Sequence, residues 1–285
     1  IMFIMFNRIQ NIFFVASDIE KFSKDFSLFF SSKPSFQGFS NELGIKIHTF
    51  NVNNLSISII NTYKEGLWSK KILDFKKDKR EGFFGLNFMS DDPKVAHNEL
   101  KEKKISLSEI QEITFEDYNN NIFHSFLFSI SEDLTSNLNI SVSGDNKFFI
   151  GKEKTTSDLC VKSVNQVVIN TNNPDGIINL FEKNLKIRLA LDKTFKEWSG
   201  RMLFFRIDGV TLEVVESDQI HGSSDFYGIG WHTDDFKLSY ESLIGKGFEL
   251  SEIRKGRKPG TLVSTLKNPI LGIPTILIGL DGDVI

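Results

Sequence analysis

The chain has 285 residues, 40% of them hydrophobic, and a formal net charge of −3. This length is enough for about two domains, and a near-neutral charge with no extended basic patch excludes nucleic-acid and anionic-membrane partners. A single cysteine, Cys160, excludes a disulfide framework, and no apolar run approaches the ~20 residues of a membrane-spanning helix, so we expect a cytoplasmic protein.

The first predicted unit is a strand followed by a helix and a hairpin. Residues 10–16 form a short apolar run rich in β-formers, which predicts a strand. A capping-box pattern at residues 17–20 and an apolar stripe behind it predict an amphipathic helix that ends before Pro34. Two strands follow, at residues 45–51 and 55–62, and the asparagines between them favour a hairpin turn.

The second predicted unit begins after the densest basic run of the chain, residues 70–80, which is typical of a solvated linker. Residues 83–90 are predicted to form a strand, and Asp91-Asp92-Pro93 an N-cap with proline in the first helical turn. A helix over residues 94–104 follows. The unit then ends in three short strands, at residues 106–114, 123–130 and 138–143.

The same order of elements restarts after a polar connection over residues 144–162. Residues 164–170 are predicted to form a strand, Asn173-Pro174 caps a helix, and Asp208-Gly209 lies in a hairpin turn between two further strands. A fourth unit opens with a strand at Phe226 and an Asp-capped helix. It closes with strands at residues 262–266 and 274–278, so the chain is predicted to contain four βαβββ-like units.

Internal repeats relate the two halves of the chain. Residues 83–110 align with residues 226–253 at a constant offset of 143, and both segments end in Leu-Ser-Glu-Ile. Residues 50–60 align with residues 205–215 at an offset of 155. The offset changes by 12 residues between the matched runs, where loops accept insertions most readily.

These repeats predict a tandem duplication in the α+β class, with domains at residues 1–150 and 151–285 that hold two units each. Four such units resemble the vicinal oxygen chelate superfamily, which includes glyoxalases, bleomycin-resistance proteins and extradiol dioxygenases. The repeated strand-and-helix openings, the strand at residues 210–215 and the closing segment at residues 254–278 are most similar to glyoxalase-like domains. The resemblance implies two half-barrels, each with a concave sheet that encloses a ligand, often over a divalent metal.

Metal sites implied by the resemblance take a His from the first strand of a unit and a Glu from its last strand. The matching places in this chain are Asn11, Gly85, Gln166 and Gly228 in the first strands, and Ser58, Ile140, Glu213 and Ile276 in the last strands. Only Glu213 is a strong ligand for a divalent metal. We therefore expect no metal and no other cofactor, the alternative being one weakly held divalent ion at Glu213.

Glu213 is also the only candidate catalytic residue. It alternates with the apolar residues of its strand and so faces away from them, and a desolvated carboxylate in a pocket can act as a general base. The alternative is a structural role, in which Glu213 accepts hydrogen bonds from Gln166 or from a nearby arginine.

The candidate ligand-binding residues lie in the second half of the chain. They are Gln166, Asn170, Arg206, Glu213, Gly228, Gly230, His232 and Arg257. Side-chain alternation puts Gln166 and Asn170 on one face of their strand. Gly228 and Gly230 are expected to leave open volume on that face, bordered by His232.

Some of these expectations have alternatives. His232 is either a ligand-binding residue or a rim histidine held by water or by Asp234. The basic cluster around Arg257 serves either an anionic substrate or loop solubility. The first half of the chain is expected to be mainly architectural. The remaining histidines are expected at the surface; they are His48, His97, His124 and His221.

The resemblance and these residues favour a protein that encloses a small organic molecule without the usual metal, as sequestering resistance proteins of the family do. The alternative is an enzyme, a glyoxalase-like lyase or isomerase that uses Glu213 with a weakly bound metal or none. An extradiol dioxygenase is disfavoured because Gln166, Gly228 and Ile276 occupy its ligand places. A third class, modules retained for association, for example as a homodimer, stays open.

Overall fold

The structure, a computed structural model, describes residue 6 and residues 8–79, 81–145, 161–195, 200–220 and 224–281. The predicted domain boundary between residues 150 and 151 lies outside these ranges, as do Cys160 and His221. Within them the chain forms two β-sheets with helices packed against them. No helix in the described ranges is long and apolar enough to cross a lipid bilayer.

The first sheet is built from the first two units. The first unit comprises β1 (Arg8–Val15), α1 (Ile19–Phe30), β2 (Phe36–Ser40), β3 (Ile45–Asn51) and β4 (Ser56–Thr62). The second unit follows the helix α2 (Ser69–Lys79) and comprises β5 (Gly82–Met89), α3 (Pro93–Glu102), β6 (Gln111–Asp117), β7 (Ile122–Ser129), the single-turn α4 (Glu132–Thr135) and β8 (Asn139–Ser143). The strand order is β1-β4-β3-β2-β6-β7-β8-β5, and the sheet closes into a barrel because β5 pairs with β1.

The second sheet repeats this arrangement. The third unit comprises β9 (Ser163–Thr171), α5 (Pro174–Ile178) continued by a π-helix (Asn179–Asn184), β10 (Arg188–Phe195), β11 (Gly200–Ile207) and β12 (Val210–Glu216). The fourth comprises β13 (Ser224–His232), α6 (Phe236–Gly245), β14 (Arg254–Lys255), β15 (Thr261–Thr265), a 3-10 turn (Ile270–Gly272) and β16 (Thr275–Leu280). The strand order is β10-β11-β12-β9-β13-β16-β15-β14.

The four predicted units are confirmed, and so are the starts of their helices. Asp18 accepts a hydrogen bond from the amide of Lys21 at 2.9 Å, and Asp235 accepts one from the amide of Leu238 at 2.9 Å. These caps satisfy amides that have no partner within the helix. The sequence patterns did not predict β2 or β10, the strand that follows the helix in the first and third units.

The duplication is visible in the register of the strands. Asn11 in β1 lies beside Ser56 in β4, and Gln166 in β9 lies beside Thr211 in β12, both in parallel ladders. Each residue of the second pair follows its counterpart by 155 positions. The two halves therefore keep the same pairing as well as the same order of elements.

The helix α2 accounts for the change in repeat offset. Residues 63–81 connect β4 to β5 in the first half, whereas the shorter segment of residues 217–223 connects β12 to β13 in the second. The first connection has 19 residues and the second has 7, a difference of 12 that equals the change in offset from 143 to 155. The insertion in the first half is therefore a helix.

This inserted helix fills the barrel of the first half. The ring of Trp68, just before α2, meets the ring of Phe13 edge to face at 4.9 Å, and Phe75 meets Phe84 at 5.4 Å. Together with Ile72 they join a buried apolar cluster on the inner face of the barrel. The prediction of a solvated linker is wrong, because Ile72 and Phe75 lie between the lysines at helical spacing and pack inward.

Gly38 permits the first barrel to close. It pairs with Asp117 where β2 meets β6, and a Cβ at this position would lie only 2.0 Å from the carbonyl oxygen of Glu116. Only glycine allows so close an approach of two backbones. The corresponding strands of the second sheet, β10 and β14, are its two edges, so in the described ranges the second sheet remains an open half-barrel.

The two halves share one apolar core. Phe83 and Phe226, which occupy equivalent places in the repeat, stack face to face with 4.6 Å between their ring centroids and 11° between their planes. Phe29 and Phe30 of α1 pack edge to face on Trp231 in β13, at 5.6 and 5.2 Å. Contact between equivalent residues is expected where a pseudo-twofold axis relates two copies.

Candidate functional site

The second sheet has two chemically different faces. Val167 and Ile169 in β9 and Leu212 in β12 belong to the apolar core beneath the helices. Gln166 and Glu213, which alternate with them, point to the opposite face. We call this opposite side, the concave side of the half-barrel, the cup face.

A hydrogen bond between Gln166 and Glu213 lies in the middle of the cup face. The Nε2 of Gln166 donates to Oε2 of Glu213 at 2.8 Å. Burial raises the pKa of the Glu213 carboxyl above its ordinary value, and the positive charge of Arg257 opposes this rise. The prediction that Glu213 accepts a hydrogen bond from Gln166 is therefore confirmed.

The first half keeps the same bond in uncharged form. Asn11 and Ser58 are the counterparts of Gln166 and Glu213, and Nδ2 of Asn11 donates to Oγ of Ser58 at 2.8 Å. Ser58 is also 2.8 Å from the hydroxyl of Thr49. Both Asn11 and Ser58 are fully buried inside the filled barrel, so this pair has no access to a ligand.

The two glycines of the cup face do not leave the open volume that was expected. A Cβ at Gly228 would lie 2.7 Å from the carbonyl oxygen of Pro274, and one at Gly230 would lie 2.6 Å from Cγ of Gln166. The space is therefore already filled by the neighbouring main chain and by the Gln166 side chain. A Cβ at Gly85, the counterpart of Gly228, would lie at the same 2.7 Å from the carbonyl oxygen of Asn139. These glycines therefore permit close strand packing.

His232 lies at the rim, at the end of β13. Its Nε2 is 3.7 Å from Oδ1 of Asp234, which also forms an ion pair with Lys162. Burial lowers the pKa of His232, and the positive charge of Lys162 lowers it further. His232 therefore has Asp234 as a neighbour, as expected for a rim histidine.

The predicted binding residues do not all meet at one point. His232 pairs with Ser163 at the start of β9, whereas Asn170 is seven positions further along that strand. At ~3.3 Å per residue the two ends are about 23 Å apart. A small molecule that contacts the Gln166 and Glu213 pair can therefore reach toward one end of the cup face but not both.

Arg206 and Arg257 border the cup face from different sides. Arg206 in β11 donates from Nη1 to the hydroxyl of Thr211 in β12. Arg257 follows β14, at the far edge of the sheet, yet its charge acts on Glu213 in β12. Because four strands lie between β12 and β14 in the sheet order, this influence requires a curled sheet whose β14 edge turns toward β12.

Sequence reasoning missed further residues of the cup face. Phe204 in β11 and Arg188 in β10 share this face with Arg206, since Arg188 pairs with Arg206 across the ladder and Phe204 is two residues before it. The signal was the alternation of β11, in which Leu203, Phe205 and Ile207 form the core face. Arg188 lies on a strand that the sequence did not predict.

Two histidines are buried, contrary to the surface prediction. His48 is 0% exposed and His97 is 6% exposed. His48 lies next to the Gln37 amide, and burial lowers its pKa. His97 hydrogen-bonds through Nε2 to the carbonyl oxygen of Ser108 at 3.0 Å. Each fits between helix and sheet because a partner satisfies its ring, whereas His124 is exposed as predicted.

No protein-family model matches the sequence, and no curated protein matches it. Solved structures do match. A triple mutant of 4-hydroxymandelate synthase from Streptomyces coelicolor is 10% identical with a TM-score of 0.69, over 97% of this chain and 93% of that one. A hypothetical protein from Staphylococcus aureus is 10% identical with a TM-score of 0.66, over 95% of this chain and 99% of that one.

A fusion of a xylose isomerase-like TIM barrel with a 4-hydroxyphenylpyruvate dioxygenase is 8% identical with a TM-score of 0.60, over 98% of this chain and 50% of that one. The chain has the vicinal oxygen chelate fold. At this level of identity the likeness establishes the fold, and the chemistry must be argued from the side chains.

The metal-ligand places of the vicinal oxygen chelate fold hold few suitable donors here. On the cup face these places are occupied by Gln166, Gly228, Glu213 and Ile276. Their only polar side chains are one amide and one carboxylate, which are hydrogen-bonded to each other. No cluster of three or more His, Cys, Asp or Glu in the described ranges has a geometry that can hold an ion. The residues present therefore do not fit the three-ligand sites that divalent metals of this kind use.

Proposed function

We propose that this protein encloses a small organic molecule against the cup face of its second half, without the metal site of the fold family. The observation that carries the proposal is the difference between the halves. The first barrel is closed and filled by the residues around α2, whereas the second has a connection too short for such a helix and keeps two unpaired edges in its described part.

The lining of the cup face supports binding of an organic molecule. Val168, Phe204, Ile276 and Ile278 point into it and are only partly buried. Ligand sites are typically concave and apolar with a few polar groups that orient the ligand. The hydrogen-bonded carboxylate of Glu213, in the middle of this surface, supplies such a group.

A second candidate is an enzyme of the glyoxalase-like lyase or isomerase class. It is favoured by the raised pKa of Glu213, because a carboxylate whose pKa is closer to neutrality is a better general base. Binding alone needs no further group, whereas the known metal-assisted route needs ligands that the cup face does not supply. We therefore place enclosure first.

The test combines metal analysis with a thermal-shift screen of small organic molecules. We expect no stoichiometric divalent metal in protein purified without chelator, and a hit at ~100 times its dissociation constant to add about 2.7 kcal/mol of stability. Ile276→Trp, which fills the cup face, should abolish the shift. Leu238→Trp, on the exposed side of α6, should leave the shift unchanged.

Two results would contradict this proposal. Stoichiometric metal that is lost in Glu213→Gln would favour the enzyme. A ligand shift that survives Ile276→Trp would place the binding site away from the cup face.

A further inference from the structure

The cup face carries more positive than negative charge. Side-chain alternation and strand register assign its cationic residues to both edges of the sheet, on β10, β11, β14 and the loop after β14. Its carboxylates in the described ranges are Glu213 and, at the far end of β13 opposite Asn170, Asp225. The cationic residues are Arg188, Lys193, Arg206, Arg254 and Arg257.

Two of these arginines are held in place by neutral groups. Arg206 donates to the hydroxyl of Thr211, and Arg254 donates through Nη2 to the hydroxyl of Thr265 at 3.0 Å. Within the described ranges neither has a carboxylate at ion-pair distance. Their guanidinium groups are therefore oriented while their charge stays available to a ligand.

Arg201, five residues before Arg206 in β11, shows the opposite arrangement. It points to the helix side of the sheet and forms ion pairs with Asp175 at 2.8 Å and with Asp192 at 2.7 Å. The chain thus neutralises an arginine on the helix side with two carboxylates, whereas Arg206 and Arg254 on the cup face have neutral hydroxyl partners. This contrast on a single strand indicates that the positive charge of the cup face has a ligand as its partner.

We propose that the molecule enclosed by the cup face is an organic anion with an apolar body and a carboxylate or similar oxyanion. The body lies on Val168, Phe204 and Ile276, and the anionic group faces the cationic rim to which Arg206 and Arg254 belong. The two arginines lie near opposite edges of a curled sheet, so their electrostatic potentials add in the opening between these edges. This inference rests on the proposed function and specifies its ligand class.

The test compares carboxylates with their neutral amides by calorimetry on the full chain. The pairs are phenylacetate and phenylacetamide, indole-3-acetate and indole-3-acetamide, and 1-naphthaleneacetate and 1-naphthaleneacetamide. For at least one pair we expect the acid to bind about tenfold more tightly than the amide, the usual effect of a charge-assisted hydrogen bond.

Variants locate the preference. Combining Arg206→Gln with Arg254→Gln should bring the ratio of acid to amide affinity close to one, with circular dichroism confirming the fold. Lys24→Gln, which removes one positive charge from the exposed side of α1, should leave the ratio unchanged. Ile276→Trp should abolish binding of both members of the pair.

The failures can be told apart. If amides bind as tightly as acids and both are lost in Ile276→Trp, the anion preference is overturned and enclosure by the cup face stands. If no acid in the set binds, or if the acid preference survives the double arginine variant, the inference is overturned. If binding persists in Ile276→Trp, the inference and the proposed function both fail.

Discussion

Glu213 is a partly buried carboxylate, and the first half of the chain has an alcohol, Ser58, in its place. Ser58 sits at the same place and makes the same kind of bond to an amide side chain, at the same 2.8 Å. A neutral hydroxyl is easier to desolvate than an ionised carboxyl. Keeping the carboxyl only in the open half costs stability there, and such costs are typical of residues retained for function.

The pH dependence of stability tests this view of Glu213. In the unfolded chain the carboxyl has its ordinary pKa near 4.5, and in the folded chain burial raises the pKa. Between these two values the folded state binds more protons, so stability falls as the pH rises through the folded pKa. Glu213→Gln keeps an acceptor for Gln166 and does not ionise. Its free energy of unfolding at pH 8 should therefore exceed that of the wild type by on the order of 1 kcal/mol.

Urea unfolding followed by circular dichroism between pH 4.5 and pH 8 measures this difference. The gain of Glu213→Gln over the wild type should shrink as the pH is lowered through the folded pKa. Glu241→Gln, an exposed change on α6, should track the wild type throughout. A gain that grows toward low pH would show that burial does not disfavour the charged form of Glu213.

At the scale of elements, the main difference between the two halves is α2, which the first half has and the second lacks in its described part. The connection that contains α2 is 12 residues longer than its counterpart and supplies apolar side chains that seal the first barrel. Lys70 and Lys77 of the same helix stay exposed. Insertion of one amphipathic helix is therefore enough to turn one copy of a duplicated half-barrel into a packed domain.

Two alanine variants, one just before α2 and one within it, test whether this connection seals the first barrel. Trp68 is 6% exposed and contacts Phe13, so Trp68→Ala should destabilise the protein by about 3–5 kcal/mol, as large buried aromatic truncations do. Leu73, within α2, is 49% exposed, and Leu73→Ala should stay within about 0.5 kcal/mol of the wild type. Equal urea midpoints for the two variants would mean that α2 lies on the barrel without sealing it.

Local signals predicted most of the elements. Asp18, Asp92 and Asp235 begin their helices as their capping patterns indicated, because a cap depends on residues within one turn. β10 escaped prediction because nearly all of its side chains are exposed, which leaves no alternation to detect. β2 has only five residues, and its pairing with β6 is between strands that are far apart in the chain.

In the candidate site, too, some features could be predicted from the sequence and others could not. Gln166 and Glu213 were singled out by the resemblance, which places both at metal-ligand positions, and strand alternation put the Glu213 side chain on the face opposite the apolar residues. The space filled at Gly230 and the burial of His48 and His97 depend on which side chain of another element packs there. Such contacts are set by tertiary packing, which the pattern of one segment does not contain.

At the scale of the whole molecule, the duplication has produced one folding unit. One continuous apolar core includes side chains of both halves, and equivalent residues meet across it. Phe29 and Phe30 of the first unit pack on Trp231 of the fourth. Domains linked by a large apolar interface are expected to lose stability together, unlike domains with small polar contacts.

This coupling predicts that a change in one half weakens both. Phe226 is 7% exposed and stacks on Phe83, so Phe226→Ala should lower the unfolding free energy by about 3–5 kcal/mol. Hydrogen exchange of β1 and β9 amides should then accelerate by similar factors, because both strands open in the same global event. Leu238→Ala, at a site that is 61% exposed, should change neither. Faster exchange confined to β9 would mean that the shared core does not couple the halves.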